Sequence, residues 1–340
     1  MSGYSKDKTG LYINTDIIRK QGEKMKERPL YKYFVFSDVH GEYDALIQAL
    51  NEAGYDRHNS THKLISLGDA FDRGPRSRDV YEFLRNREAI CVKGNHDTMF
   101  EEYLEHGMKG AHVFFNILHN GLGATIQSFT GLKESRFTVR DLDVMKRNIS
   151  GSVLKWIKNL PLYYETSNFI FCHAGIDPFK SDWRQTDKGF MLWDVEYSHF
   201  PCPHTDKRVV IGHHHASKVR QKALADGYKD YPPFHHNYRP ADHDNPIAFA
   251  IYGNTDENRV YFNDNKIAVD GMTNLTGKVN VLVLEDYPVE GRYIQEKEDE
   301  VIINAQNNDY VVANQPGVFS WAPNESQIYT YNLNQWTTTL

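Results

Sequence analysis

The chain has 340 residues, 40% of them hydrophobic, enough for one large domain or two smaller ones at roughly 150 residues per domain. Lys and Arg total 39 against 45 Asp and Glu, a formal charge of −6, which excludes a generally basic nucleic-acid binder while leaving room for a local basic groove. Apolar runs such as Tyr33-Phe34-Val35-Phe36 stay far below the roughly twenty residues needed to cross a bilayer, so no membrane span is expected.

Residues 1–29 are polar, rich in Lys and Arg, and read as a solvated basic arm. They hold no apolar segment of signal-peptide length, and Cys91, Cys172 and Cys202 are odd in number and widely spaced. No disulfide framework is expected, and cytoplasmic residence follows as the expectation. The run Tyr33 to Phe36 predicts a buried strand that stops at Ser37-Asp38-Val39-His40-Gly41. Tyr43, Leu46, Ile47 and Leu50 then recur at helical spacing before Gly54. Leu64 to Leu67 predicts a second strand ending at Gly68-Asp69, Ser77 to Arg87 a second helix, and Ala89 to Val92 a third strand ending at Gly94-Asn95-His96-Asp97.

From about 98 to 160 the pattern is mostly helical, broken by Asn120-Gly121 and Gly123. Phe169 to Cys172 predicts a strand running into His173-Ala174-Gly175, and Val209 to Ile211 another running into Gly212-His213-His214-His215. A loop rich in Pro, His, Asn and Asp fills 225–246 and carries His235, His236 and His243, which read as solvent-exposed. Strands are expected at 248–252, 259–262, 266–269 and 279–284, followed by a β-rich tail. Successive parallel strands joined by helices bring their carboxyl ends to one rim of a sheet, so polar residues distant in sequence can meet there.

The rim residues are Asp38, His40, Asp69, Asp72, Arg73, Asn95, His96, His173 and His213. Neutral imidazoles and carboxylates are the usual ligands of first-row divalent metals, and an amide oxygen can join them. Two cations roughly 3.5–4 Å apart need one bridging ligand, which a shared carboxylate supplies. Singly, each residue has a plainer reading: Asp69 as a cap or turn residue, His40 or His173 as a hydrogen-bonded core histidine, Asp72-Arg73 as a surface ion pair. Their joint occurrence points instead to a dinuclear site, with Gly41, Gly68, Gly94 and Gly212 adjoining the blocks where the backbone must turn tightly or approach closely.

The blocks Ser37–Gly41, Gly68-Asp69-Ala70-Phe71-Asp72-Arg73-Gly74, Gly94–Asp97, His173-Ala174-Gly175 and Gly212-His213 resemble the five signature blocks of the metallophosphoesterases. Their order and spacing are similar to the serine/threonine phosphoprotein phosphatase branch, especially its small bacterial and bacteriophage-lambda type, as is Leu160-Pro161-Leu162-Tyr163-Tyr164 before His173. The resemblance covers roughly residues 31–285. It implies an α/β fold of the calcineurin-like kind, a two-sheet β-sandwich flanked by helices with a dinuclear metal site at the strand ends, in which the strands of 248–285 complete the second sheet. The expected division is a basic arm over 1–29, the catalytic domain over 30–288 and a β-rich extension over 289–340.

By matching position, the resemblance implies that Asp38 and His40 hold one metal, that Asp69 bridges, and that Asn95, His173 and His213 complete the second. His96 is then the proton donor to the leaving oxygen, Asp72 orients it, and Arg73 grips the phosphoryl oxygens. The implied cofactor is two divalent cations, Mn²⁺ first, with Fe, Zn, Ni or Mg as alternatives. The chemistry is sound without the analogy: two cations and an Arg fork offset a dianionic ester and lower the pKa of a bound water, whose hydroxide attacks in line. An imidazolium that protonates the departing alkoxide contributes about 10²- to 10⁴-fold.

The expected function is hydrolysis of phosphate monoesters, phosphoserine and phosphothreonine of proteins foremost, with a phosphoprotein or small phosphate ester as partner and neither membrane nor nucleic acid. A dinucleoside polyphosphate hydrolase is the nearest alternative. Its symmetrically cleaving branch tends to lack an acid at the position of Asp72 and the final Gly-His block, both present here, which leaves the asymmetric branch open. Cyclic or other phosphodiesters come third. A non-catalytic binding scaffold is a weaker reading, because no ligand or proton-donor position is lost.

One departure stands out. The branch usually supplies a second phosphate-contacting Arg just beyond a Leu-Trp pair, and here Leu192-Trp193-Asp194-Val195-Glu196 has none, leaving Arg184 and Arg220 as candidates. His214 is expected to face away from the metals or to hydrogen-bond behind them, and Cys172 to be core.

Overall fold

In the computed structural model, which describes residues 4–6, 12–14, 29–132, 136–230, 250–263, 265–289, 328–332 and 335–339, two short strands β1 (Tyr4–Lys6) and β2 (Tyr12–Asn14) pair with each other ahead of the sheets. In chain order there follow β3 (Tyr31–Phe36), β4 (His62–Ser66), β5 (Ile90–Cys91), β6 (Arg136–Thr138), β7 (Tyr163–Glu165), β8 (Phe169–Cys172) and β9 (Arg208–Ile211). The last six are β10 (Ala250–Tyr252), β11 (Tyr261–Asn263), β12 (Lys266–Ala268), β13 (Val281–Asp286), β14 (Ile328–Asn332) and β15 (Gln335–Thr339). Most of the expected basic arm, most of the expected β-rich extension, and the loop with His235, His236 and His243 lie outside the described residues.

Side-chain alternation decides how the strands stack, because successive residues of a strand face opposite sides of its sheet. On β3, Tyr33 and Val35 pack into a cluster with Phe169, Phe171 and Val210 of the other sheet, while Phe34 and Phe36 pack into a cluster with the helices. On β8, Phe169 and Phe171 face that same inter-sheet layer, and Ile170 and Cys172 face a third cluster on the far side with Val209 and Ile211. Two sheets buried on both faces, with helices outside, are the α/β sandwich the blocks lead one to expect. Each fully buried side chain of this size contributes about 1.5–3 kcal/mol.

The first sheet runs β10-β13-β3-β4-β5 and the second β11-β12-β9-β8-β7. β3, β4 and β5 are parallel, joined through helices Tyr43–Glu52 and Ser77–Asn86, and β8, β9 and β12 are parallel in the second sheet. The strands of 248–285 divide between the sheets rather than all completing the second. β11 and β12 join it, whereas β13 pairs antiparallel with β3 and carries β10 on its outer side. Burial explains the allocation: Leu282 and Leu284 enter the inter-sheet layer and Val281 and Val283 the helical one, so β13 is apolar on both faces and suits an interior position.

The 98–160 region is mostly helical as expected, with helices at Asn95–His106, Leu122–Thr130, Val139–Asn148 and Gly151–Lys158 and a π-helical turn at Asn116–Asn120, but it also holds strand β6, which is not expected there. β7 is a strand that periodicity does not predict, since Tyr163-Tyr164-Glu165 shows neither an alternation nor a four-residue apolar run. β14 pairs with β15 and, on its other side, with β6. Among the described residues no helix is long and apolar enough to cross a membrane.

Candidate metal centre

The loops leaving the carboxyl ends of β3, β4, β5, β8 and β9 converge, and they do so through unusual backbone. Asp38, His40, Asp69, Asp72, Arg73 and His213 all have positive φ, between 47° and 72°, a region that costs L-residues energy and that clusters at functional sites. Main-chain bonds between the loops hold them there: Asp38 N–H donates to Gly68 O at 3.2 Å, His40 N–H to Asp69 O at 3.0 Å, and Gly212 N–H to His173 O at 2.8 Å.

Asp69 is the centre of the arrangement. Its carboxylate lies 3.7 Å from His40 Nε2 on one side and 3.5 Å from His173 Nε2 on the other, and it accepts the His96 N–H at 2.9 Å. Two groups of ligand atoms therefore share it: His40, Asp69 and His96, and Asp69, His173 and His213, each within 4.8 Å. Asp38 lies between the groups, 3.9 Å from His40 Nε2 and accepting the His213 N–H at 2.9 Å and the Ser37 hydroxyl.

Proton bookkeeping tests whether these residues suit cations. His40 Nδ1 lies 2.8 Å from Phe71 O and His173 Nδ1 2.7 Å from Leu67 O, so each ring donates there and presents Nε2 as a lone pair. His173 Nε2 and Asn95 Oδ1 then face each other at 2.8 Å as two acceptors, an arrangement that a shared cation relieves. Burial, together with the nearby Asp38 and Asp97 carboxylates, pushes the Asp69 carboxyl well above its usual range. Burial of Asp38 also raises its pKa, but His173, the Ser37 hydroxyl and the His213 N–H more than offset this and hold it low. Two crowded buried carboxylates beside imidazoles whose Nδ1 atoms are tied to carbonyls form a donor set that fits divalent metal.

The imidazoles are ready for that role. Burial holds His40 well below its ordinary value and brings His213 to about 3 and His214 to about 4, with neighbouring imidazoles and cationic groups adding to the effect. A lowered folded-state pKa means that the unfolded chain binds more protons, so metal-free protein loses stability as pH falls from about 6.5 toward 4. His214→Gln is expected to flatten that limb of a curve of melting temperature against pH measured by calorimetry. An unchanged slope would remove His214 from the account.

His96 differs from the other rings in its anchor. Its Nδ1 lies 2.8 Å from Asp72 Oδ2, a carboxylate rather than a main-chain carbonyl, and its Nε2 lies 3.1 Å from Arg73 Nη2. Arg73 Nη1 reaches His40 Nε2 at 2.8 Å, so the fork joins the rings across the mouth of the site. That lone pair on His40 cannot serve both Arg73 and a cation.

Two glycines lie against the acids. A Cβ on Gly94 would collide with the carboxylate and main-chain nitrogen of Asp69, and one on Gly212 with Ser37 and Asp38. Gly94→Ala is expected to weaken cation binding about 10- to 100-fold by displacing Asp69, read by calorimetric titration with Mn²⁺.

Nine rim residues named from sequence thus meet at one rim. The two arginines proposed for a second phosphate contact are committed elsewhere, Arg184 to Glu165 at 2.8 and 2.9 Å, and Arg220 to Asp230 at 2.8 Å and to main-chain carbonyls of Glu257, Arg259 and Val260. Trp193 is half-exposed and edge-on to His213 at 6.3 Å between ring centres. His214 Nδ1 meets Ser198 Oγ at 2.7 Å, and Cys172 is a buried core thiol pushed up to about 12 by burial.

Sequence reasoning assigned no role to three side chains, Asp97 of the Gly94–Asp97 block among them. Asp97 accepts the N–H groups of Gly94, Asp69 and Ala70 at 2.7, 3.2 and 3.3 Å and so holds the Asp69 loop; an acid three residues after Gly94, at the third position of a helix, was its available signal. Thr125 bonds to Asp72, and buried Asp270 lies 3.8 Å from His215 Nε2; neither has a local signal.

Fold and side chains together describe a class, the metal-dependent hydrolases of phosphate esters. The family model for calcineurin-like phosphoesterases matches residues 31–243, and the chain belongs to that family. Among curated proteins, the asymmetrical bis(5'-nucleosyl)-tetraphosphatase of Bacillus velezensis is 26% identical over 157 residues, covering 42% of this chain and 56% of its own. The serine/threonine-protein phosphatase 2 of Escherichia coli is 40% identical over 74 residues, 22% of this chain and 33% of its own. The chain spans about half or less of the length of these relatives. Among solved structures, a metallophosphoesterase from Sphaerobacter thermophilus covers 78% of this chain and 90% of its own at 17% identity and a TM-score of 0.38.

Proposed function

We propose that this protein hydrolyses phosphate monoesters, with phosphoserine and phosphothreonine in proteins as the substrate class. The observation that carries the reading is the His96–Asp72 pair beside the shared Asp69 carboxylate, a proton donor placed next to two ligand groups. Asp38, His40, Asp69, Asn95, His173 and His213 would hold two divalent cations, Mn²⁺ being the first to supply. Bound there, they would offset the phosphoryl charge and make water a better nucleophile at neutral pH.

The chain's own groups do the rest. Arg73, on a loop held at positive φ, offers a planar fork that matches two phosphoryl oxygens. His96 delivers the proton from Nε2 to the leaving oxygen while Asp72 on Nδ1 sets the ring's orientation. With Arg184 and Arg220 engaged elsewhere, Arg73 carries the phosphate grip that the related branch divides between two arginines.

Cleavage of dinucleoside tetraphosphates is the second reading, supported by the names of similar proteins. Turnover of phosphoserine peptide, phosphotyrosine peptide, phenyl phosphate and diadenosine tetraphosphate should be compared side by side with Mn²⁺ present. The monoesterase reading expects the peptides and phenyl phosphate to be cleaved faster. A preference for the dinucleotide selects the second reading, and inertness toward all four defeats both.

A further inference from the structure

We propose that Thr125 is a positioning residue for the proton donor, acting on His96 through Asp72; the proposal rests on the reading of His96 as that donor. Thr125 sits on the helix Leu122–Thr130, 53 residues from Asp72 in sequence and fully buried. Its hydroxyl makes three short contacts: to Asp72 Oδ1 at 2.9 Å, from the Asp72 N–H at 2.6 Å, and with Ser77 Oγ at 3.1 Å.

A hydroxyl carries one hydrogen, so the directions follow. The main-chain N–H of Asp72 must donate, and a carboxylate can only accept. The hydrogen of Thr125 therefore goes to Asp72 Oδ1, and Ser77 donates to Thr125. The result is a directed chain, Ser77 to Thr125 to Asp72, closed from the other side by His96 Nδ1 on Oδ2. One hydroxyl thus grips Asp72 by its backbone and its side chain at once, at a residue whose φ is +72°. With both oxygens tied, the carboxylate cannot rotate, and the imidazole plane it holds is set.

The same helix reaches the other half of the machinery. Gly121, just before its first residue, accepts the Arg73 N–H at 3.2 Å, and a Cβ there would collide with the Arg73 backbone. One helical segment therefore orients the donor's carboxylate and the phosphate-gripping fork together. None of this needs Thr125 to touch substrate.

The step it serves is specific. As a water oxygen bonds to phosphorus in line and gives up its proton to solvent, the ester P–O bond breaks, its electron pair moves to the leaving oxygen and the proton on His96 Nε2 passes to that oxygen; the ring then regains a proton from solvent. Poor leaving groups need this proton and acidic ones do not. A misplaced donor therefore costs turnover on phenyl phosphate and spares 2,4-dinitrophenyl phosphate, whereas a general loosening of the fold slows both alike.

The test uses the full chain with Mn²⁺. Thr125→Val is expected to lower kcat on phenyl phosphate about 10- to 100-fold with KM little changed, to lower it by less than about threefold on 2,4-dinitrophenyl phosphate, and Thr125→Ser to restore most of the loss. In His96→Asn, adding Thr125→Val is expected to cost nothing further. The downfield Nδ1–H proton resonance of His96 in metal-free protein should be lost in Thr125→Val and kept in Thr125→Ser. Should Thr125→Val fail to fold, Thr125→Ala, which leaves room for a water, carries the same expectations. Equal losses on the two esters, a loss confined to KM, or additivity with His96→Asn overturns the proposal. If His96→Asn itself shows no dependence on the leaving group, the donor reading has failed; if it does and the Thr125 variants do not, the Thr125 proposal alone has failed.

Discussion

Asp69→Asn is expected to remove cation binding and turnover together. The Asp69 carboxylate lies within 3.7 Å of both His40 Nε2 and His173 Nε2, so on the bridging assignment its loss removes a ligand from both positions. An amide offers one weak acceptor where a carboxylate offers two anionic oxygens, and it cannot bridge. Losing the several kcal/mol of charge stabilisation that two cations supply corresponds to a fall in turnover of about 10³-fold or more. Metal content by elemental analysis and hydrolysis of phenyl phosphate would show it.

A second readout separates metal loss from misfolding. In the metal-free protein Asp69 is a crowded buried acid, so replacing it with an amide relieves repulsion from Asp38 and Asp97 and should leave the melting temperature unchanged or higher. The wild type should gain stability on adding Mn²⁺, and Asp69→Asn should not. Two cations bound by Asp69→Asn with normal turnover would end the bridging assignment.

His96→Asn is expected to separate binding from chemistry. Proximity groups His96 with His40 and Asp69 as a third ligand, whereas its Asp72 anchor suits a ring that must become charged. On the donor assignment the variant keeps its cations and loses about 10²- to 10⁴-fold in kcat on esters with poor leaving groups. It should lose far less on 2,4-dinitrophenyl phosphate. Loss of one cation on substitution would make His96 a ligand instead and leave the site without an assigned donor.

How much of this was legible beforehand follows from the range of each signal. Strand alternation, helix spacing and glycine-marked stops act over a few residues, so β3, β4, β8, β9 and the helices after β3 and β4 are all readable from the chain. β7 was missed because Tyr163-Tyr164-Glu165 shows neither an alternation nor a four-residue apolar run, and the split of the 248–285 strands was missed because a strand apolar on both faces does not say which neighbour it will take. Arg184 and Arg220 were reasonable candidates by position alone. Only the fold places Glu165 and Asp230 against them, and an ion pair already made is not available to a phosphate.

The sequence by itself determined the composition of the site: which side chains stand at each strand end, in blocks whose order admits one shared rim. Asp38, His40, Asp69, Asn95, His96, His173 and His213 could all be named because each stands in a polar, glycine-marked block directly after a strand. The tertiary structure decided what each of them touches. That Asp69 faces both ligand groups, that His96 leans on a carboxylate while His40 and His173 lean on carbonyls, and that Thr125 closes on Asp72 from 53 residues away are outcomes of burial and loop closure. Such contacts exist only when the sheets have stacked, because hydrogen-bond geometry is set by the positions of distant segments and leaves no trace in either one alone.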